Sequence, residues 1–111
     1  GLREGKGTSW EGGTREPCIM SWPGVIPQGV VNNKMISTID IMPTLAAITG
    51  AKLPDHKIDG INMLDMLKGK DVSPRTSFYY YYNLNDLEAV RIGYWKLVLP
   101  HHFRSYEGAL C

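Results

Sequence analysis

Residues 5–17 read Gly5-Lys6-Gly7-Thr8-Ser9-Trp10-Glu11-Gly12-Gly13-Thr14-Arg15-Glu16-Pro17, and they hold the residue types best suited to chemistry in this chain. One lysine sits between two glycines, followed by two hydroxyls, an aromatic, an acid and a second glycine pair. Glycine lets a backbone bend sharply and come close to a ligand. A lysine on such a turn offers a compact ammonium with three donors, which suits the oxygens of a small tetrahedral oxyanion. The spacing is not that of a Walker phosphate loop, which needs Gly-x-x-x-x-Gly-Lys-Ser/Thr. The competing local reading is a glycine-rich surface turn whose lysine is only solvated. Glu11 and Arg15 read as partners in ion pairs or hydrogen bonds that brace the loop.

The second place where side chains could meet a ligand is Pro100-His101-His102-Phe103-Arg104-Ser105-Tyr106. Paired histidines, an arginine and aromatics follow a strand end there. Either His101, His102 and Arg104 face a substrate, or they are surface residues. The histidines show no His-x-x-x-His spacing and the cysteines no Cys-x-x-Cys spacing, so no zinc site is indicated. Cys18, in the run Cys18-Ile19-Met20, reads as a buried small hydrophobe. Asp40 reads as a helix cap and Asp59-Gly60 as a turn.

The elements that must position these groups follow from periodicity. Residues 1–16 read as a loop leading into extended chain. Residues 17–22 read as a buried strand closed by Pro23-Gly24, and 25–36 as a surface connection. The clearest helix spans 39–49, with Thr38 or Asp40 as N-cap and Pro43 in its first turn. Ile41, Leu45 and Ile48 form its apolar stripe, and Gly50 stops it. A shorter helical piece runs over 62–67 and ends at Gly69. Four consecutive tyrosines in 77–82 suit a strand. Residues 88–92 and 95–99 flank Gly93-Tyr94, a two-residue hairpin turn. Trp95, Leu97 and Leu99 share one face, expected to pack on the 39–49 helix.

With 111 residues the chain is one modest domain or a piece of a larger one. A net charge of +1 gives no reason to invoke nucleic acid, and no apolar run reaches the length of a membrane span.

The order of motifs points further. After Arg15-Glu16-Pro17 come Ser21-Trp22-Pro23-Gly24, then Ser37-Thr38-Ile39-Asp40-Ile41-Met42-Pro43-Thr44-Leu45. Ile58-Asp59-Gly60-Ile61-Asn62 and Ala89-Val90-Arg91-Ile92-Gly93-Tyr94-Trp95-Lys96-Leu97 complete the set. Over roughly residues 3–104 this series resembles the C-terminal portion of the sulfatase family, the arylsulfatase-like branch of the alkaline phosphatase superfamily. The resemblance implies an α/β, alkaline phosphatase-like sulfatase fold. Residues 1–36 would end the large mixed-sheet catalytic domain. Residues 37–111 would form a C-terminal α+β subdomain with a small antiparallel sheet and a packed helix, incomplete at its C-terminus. The 17–22 strand would complete the large sheet, and a fourth strand of the small sheet would follow Cys111.

Sulfate ester hydrolysis needs a nucleophile, cations to hold the sulfuryl oxygens and an acid for the leaving alcohol. The resemblance implies a formylglycine nucleophile, made in a Cys/Ser-x-Pro-x-Arg motif, and a calcium site. This chain has no such motif, and the calcium ligands would lie upstream of residue 1. Lys6 matches the family lysine that contacts the sulfate and assists departure of the leaving oxygen. Ser9 and Trp10 are mild departures from the family pattern. Some relatives carry a histidine where this chain has Val98, so His101 and His102 are the candidates to serve in its stead. The expected protein is a fragment of a secreted, periplasmic or lysosomal sulfatase acting on a sulfated small molecule or carbohydrate. It would be inactive alone and packed on the missing N-terminal part of the same chain. A phosphodiesterase or phosphonate hydrolase of the same superfamily is one alternative. A non-catalytic carbohydrate-binding or interaction fragment is the other.

Overall fold

Three strands in chain order form the only sheet among the described residues, β1 (Ser77–Tyr82), β2 (Asp86–Ile92) and β3 (Trp95–Val98), each antiparallel to the next. The structure is a computed structural model that describes residues 1–82 and 84–101. The β2–β3 hairpin turns at Gly93-Tyr94 as the sequence predicts, with Gly93 at φ 55° and Ile92 facing Trp95. One side of the sheet carries Phe78, Tyr80, Ala89, Arg91 and Lys96. The Phe78 and Tyr80 rings meet edge to face at 4.9 Å. On the other side Tyr79, Tyr81, Ile92, Trp95 and Leu97 are exposed, with Trp95 85% accessible.

The β1–β2 ladder slips between Tyr80 and Tyr81. Tyr80 faces Ala89 while Tyr81 faces Leu87, so Glu88 is an extra residue. A bulge of this kind re-aims a side chain. Here Glu88 and Ala89 are buried in succession, which strict strand alternation would not allow.

Two compact units make up the chain. One joins Gly1–Cys18 with the described residues from Ser77 onward and contains the sheet. The other is Ile19–Thr76. The expected strand over 17–22 is not formed: these residues belong to no ladder, Cys18 is exposed rather than buried, and Ile19 is 96% accessible. A strand needs a neighbour for its backbone groups, and the three-stranded sheet offers this segment no pairing.

In the first unit the loop expected over 1–16 contains one helical turn, α1 (Glu11–Thr14). In the second, a 3-10 turn (Thr38–Asp40) leads into α2 (Ile41–Thr49), which ends at Gly50 with φ 75° and its N–H bonded to Ala46 O. The short α3 (Leu64–Leu67) is followed by Gly69 at φ 88°. The apolar stripe of α2 is largely exposed. Its buried residues are Pro43 and Thr44.

Asp40 stands at the N-cap position of α2, but its side chain makes no cap bond to that helix. Its side chain is fully buried. Ser37, which opens the 3-10 turn as N-cap, donates its N–H to Asp40 Oδ2 at 2.8 Å, and Ile61 N–H donates to Oδ1 at 2.8 Å. Arg75 donates to both oxygens, Nη2 to Oδ1 at 2.5 Å and Nε to Oδ2 at 3.2 Å, and Nη2 also reaches Asp59 O at 2.8 Å. From the same turn, Thr44 Oγ1 donates to Asp40 O and accepts the Met63 N–H. One carboxylate thus ties the start of α2 to the 59–63 segment and to Arg75.

Burial acts to raise the Asp40 pKa. The Arg75 hydrogen bond, the Ile61 and Ser37 N–H groups and the Arg75 charge outweigh it, leaving the carboxyl below its ordinary value. A depressed folded pKa gives stability that is present above the unfolded aspartate value of about 3.9 and lost as pH falls through the folded one. Asp40→Asn should therefore flatten the acid limb of the stability curve in denaturant melts at successive pH values. It should also cost about 3–5 kcal/mol at neutral pH, because it leaves Arg75 buried without its counter-charge. An acid limb unchanged in the variant would contradict this.

Candidate functional site

Lys6 stands at the tip of a tight turn. Thr8 closes the turn twice onto Gly5 O, through its N–H at 3.3 Å and its Oγ1 at 2.9 Å. Gly7, at φ 90°, takes the left-handed position that a turn of this shape reserves for glycine. Lys6 is exposed and, among the described residues, has no hydrogen-bond or ion-pair partner. The turn is short and strained upstream, where Glu4 holds φ 59°, a conformation costly for a residue with a Cβ.

The second glycine pair explains how this turn is seated. Gly12 donates its N–H to Arg3 O at 2.9 Å. A Cβ on Gly12 would lie 1.9 Å from Glu4 O, and one on Gly13 would lie 2.3 Å from Thr8 O and 2.5 Å from Gly5 O. The Lys6 turn therefore lies directly on the backbone of α1, and only glycine permits the approach. The sequence motif Gly-Lys-Gly…Gly-Gly is a single packing device.

Two side chains fasten this device to the sheet. Glu11 accepts from Arg91 Nη1 at 2.9 Å and from Lys96 Nζ at 3.1 Å, so the ion-pairing role expected of it is seen. Arg91 and Lys96 face each other across β2 and β3. Like charges directly opposite are unfavourable in a hairpin, and the Glu11 carboxylate offsets the repulsion. Lys96 also lies 4.0 Å from the centre of the Tyr80 ring and reaches Thr14 Oγ1 at 3.3 Å. Burial lowers the Lys96 pKa despite Glu11, and burial, with the Glu11 charge, raises that of Tyr80. The second fastening is Ser9 Oγ, which donates to Oε2 of the buried, bulge-directed Glu88 at 2.5 Å. Arg15, expected to brace the loop with Glu11, is exposed.

A cleft of about 370 Å³ opens beside this loop, lined by Arg3, Trp10, Val98, Leu99, Pro100 and His101. The Arg3 guanidinium carbon sits 3.8 Å from the centre of the Trp10 ring. His101 Nδ1 is 2.7 Å from Leu99 O, which assigns the proton to Nδ1, and its Nε2 is 3.9 Å from Glu88 Oε2. His102 and Arg104 lie outside the described residues. Arg3, Trp10, Ser9 and Glu88 are site residues for which sequence reasoning found no role. Among the described residues no three His, Cys, Asp or Glu side chains converge to hold a metal ion.

A family profile described as N-sulphoglucosamine sulphohydrolase, C-terminal, matches residues 5–99, and the chain belongs to this family of sulfatase C-terminal domains. It is 44% identical to human arylsulfatase A over 99 residues, 86% of this chain and 19% of that protein. It is 42% identical to mouse N-acetylgalactosamine-6-sulfatase over 105 residues, 93% of this chain and 20% of that protein. Mouse steryl-sulfatase is 40% identical over 91 residues, 81% of this chain and 15% of that protein. The chain thus spans about a fifth of the length of the relatives it matches.

Gly12→Ala should displace the Lys6 turn, because the methyl group would have to occupy the space of Glu4 O. The expected cost is about 1–3 kcal/mol in a thermal or denaturant melt, in the range of overpacking. A variant that melts with the wild type would show that the loop does not rest on α1.

Proposed function

We propose that this chain is the C-terminal part of a sulfatase that hydrolyses sulfate esters of an aryl compound or a carbohydrate, and that Lys6 is its contact with the sulfate. The observation that carries this reading is the exposed Lys6, without a partner among the described residues, on a turn seated against Gly12 and Gly13. The held turn brings the ammonium to one place, and a positive charge where negative charge develops stabilises a transition state. On a sulfate ester, charge grows on the bridging oxygen as the S–O bond breaks, and the lysine can donate a proton or a hydrogen bond to it. The relatives supply the substrate classes: their names specify aryl, steryl and N-acetylgalactosamine-6-sulfate esters.

In this reading residues 1–36 end the catalytic domain, and residues 37–111 form the smaller subdomain. The formylglycine nucleophile and the calcium ion belong to residues outside this segment, so the 111-residue chain alone turns over no aryl sulfate. The exposed sheet face of Tyr79, Trp95 and Leu97 supports packing against the remainder of the same protein. His101 and, beyond the described residues, His102 and Arg104 contact the substrate. Among the described residues no helix is long and apolar enough to cross a membrane. The reading places the protein in a secreted, periplasmic or lysosomal compartment.

The test is steady-state hydrolysis of a sulfate ester by the full-length protein. Lys6→Ala should lower kcat/KM by about 10²–10³-fold, the usual loss when one charge-stabilising donor is removed. Lys6→Arg, which keeps the charge but changes its shape, should restore only part of the loss. Rates within twofold of wild type in Lys6→Ala would remove Lys6 from the mechanism. Absence of sulfate ester turnover by a correctly processed full-length protein would overturn the sulfatase reading itself.

A further inference from the structure

The cleft beside the Lys6 loop has a composition that a sulfate contact alone does not explain. Arg3 and Trp10 bracket Lys6 in sequence and both line the cleft, while Val98, Leu99 and Pro100 give it an apolar wall. Its volume of about 370 Å³ falls within the range of small-molecule pockets. Arg3 is exposed and, among the described residues, has no carboxylate partner. Its guanidinium contacts the Trp10 ring. Contact with the ring face uses none of the guanidinium's N–H donors, so the fork stays open to a ligand. A planar fork of this kind recognises a carboxylate or sulfate through two parallel hydrogen bonds. The His101 ring, which also lines the cleft, is fixed by its Nδ1–H bond to Leu99 O. The buried Glu88, 4% accessible, holds Ser9 behind the loop.

We infer that this cleft is a subsite for an acidic sugar ring, in which Arg3 binds a carboxylate or second sulfate while the ring's carbon face lies on Val98, Leu99 and Pro100. The inference deepens the sulfatase reading and rests on it for the identity of the neighbouring scissile group. Lys6 and Arg3 then divide the substrate between them, one gripping the ester to be cleaved and the other an anion that is retained. A sugar suits the cleft better than a flat aryl group because Arg3 already covers one face of Trp10. The apolar wall with polar groups at its rim matches a ring that is carbon-faced and oxygen-edged.

Calorimetric titration of the full-length protein with three disaccharides tests this by binding, not by turnover. One probe ends in a glucuronate and the other in glucose; a third ends in a 6-sulfated glucose, to separate carboxylate from sulfate as the favoured anion. The wild type should bind at least one acidic probe about tenfold or more tighter than the neutral one, as expected for a charge-assisted pair, and the preference should shrink as salt is raised. Arg3→Gln should erase the preference, and Arg3→Lys should keep part of it. Should Arg3→Gln fail to fold, the comparison of probes and the salt dependence on wild type still decide the matter. Equal affinity for acidic and neutral probes, or a preference that survives in folded Arg3→Gln, would overturn the inference. Preferential binding by a protein that cleaves no sulfate ester would leave the subsite standing and remove the sulfatase reading.

Discussion

A single carboxylate, that of Glu11, lies between two cations of a hairpin, and the Lys6 loop is fastened through it. Glu11 is the first residue of α1, Arg91 and Lys96 sit opposite each other on β2 and β3, and all three side chains are at least partly buried. Without the acid, two positive charges would face each other on a half-buried surface. Without the cations, α1 would lose its bonds to the hairpin, and four residues are far too few for a helix to persist alone. The interaction is therefore reciprocal: it makes the hairpin tolerable and α1 permanent. The turn that carries Lys6 rests on α1 through Gly12 and Gly13, so the position of the lysine is set by a pair of bonds at the far side of the helix.

The second unit uses the same solution in a drier setting. Asp40 has no accessible surface, and its two oxygens are met by two backbone N–H groups and the Arg75 fork. A buried charge is tolerable only when paired and hydrogen-bonded. With few apolar side chains fully buried among the described residues, polar networks of this sort account for much of what makes each unit specific. Each is organised by one acid that serves several segments at once.

Much of this was legible in the sequence. The tyrosine run, the Gly93-Tyr94 turn and the 39–49 helix with its Gly50 stop appear where periodicity puts them, because each is governed by local rules. What was missed depends on distant partners. Glu88 looked like the start of a strand. It is a bulged residue aimed at Ser9, 79 positions away in sequence. Asp40 looked like a cap, because nothing local betrays Arg75. The 17–22 segment has the composition of a buried strand, yet composition does not supply a neighbour to pair with. One signal was available and unused. A two-residue turn at Gly93-Tyr94 sets Arg91 against Lys96, and that juxtaposition calls for an acid from elsewhere. The lysine loop itself was readable as a motif, but its reason was not. The Gly-Gly pair matters because backbone lies against it, and His102 and Arg104 fall outside the described residues.

The central claim is that Glu11 holds the Lys6 loop in place. Hydrogen exchange on the full-length protein, compared between wild type and Glu11→Gln, tests it most directly. The account predicts faster exchange of the Gly12 and Gly13 amides, whose partners are Arg3 O and Trp10 O, while the amides of the β1–β2 ladder keep their protection. Unchanged protection at Gly12 and Gly13 in Glu11→Gln would show that the loop holds its place without the carboxylate, and would contradict the account.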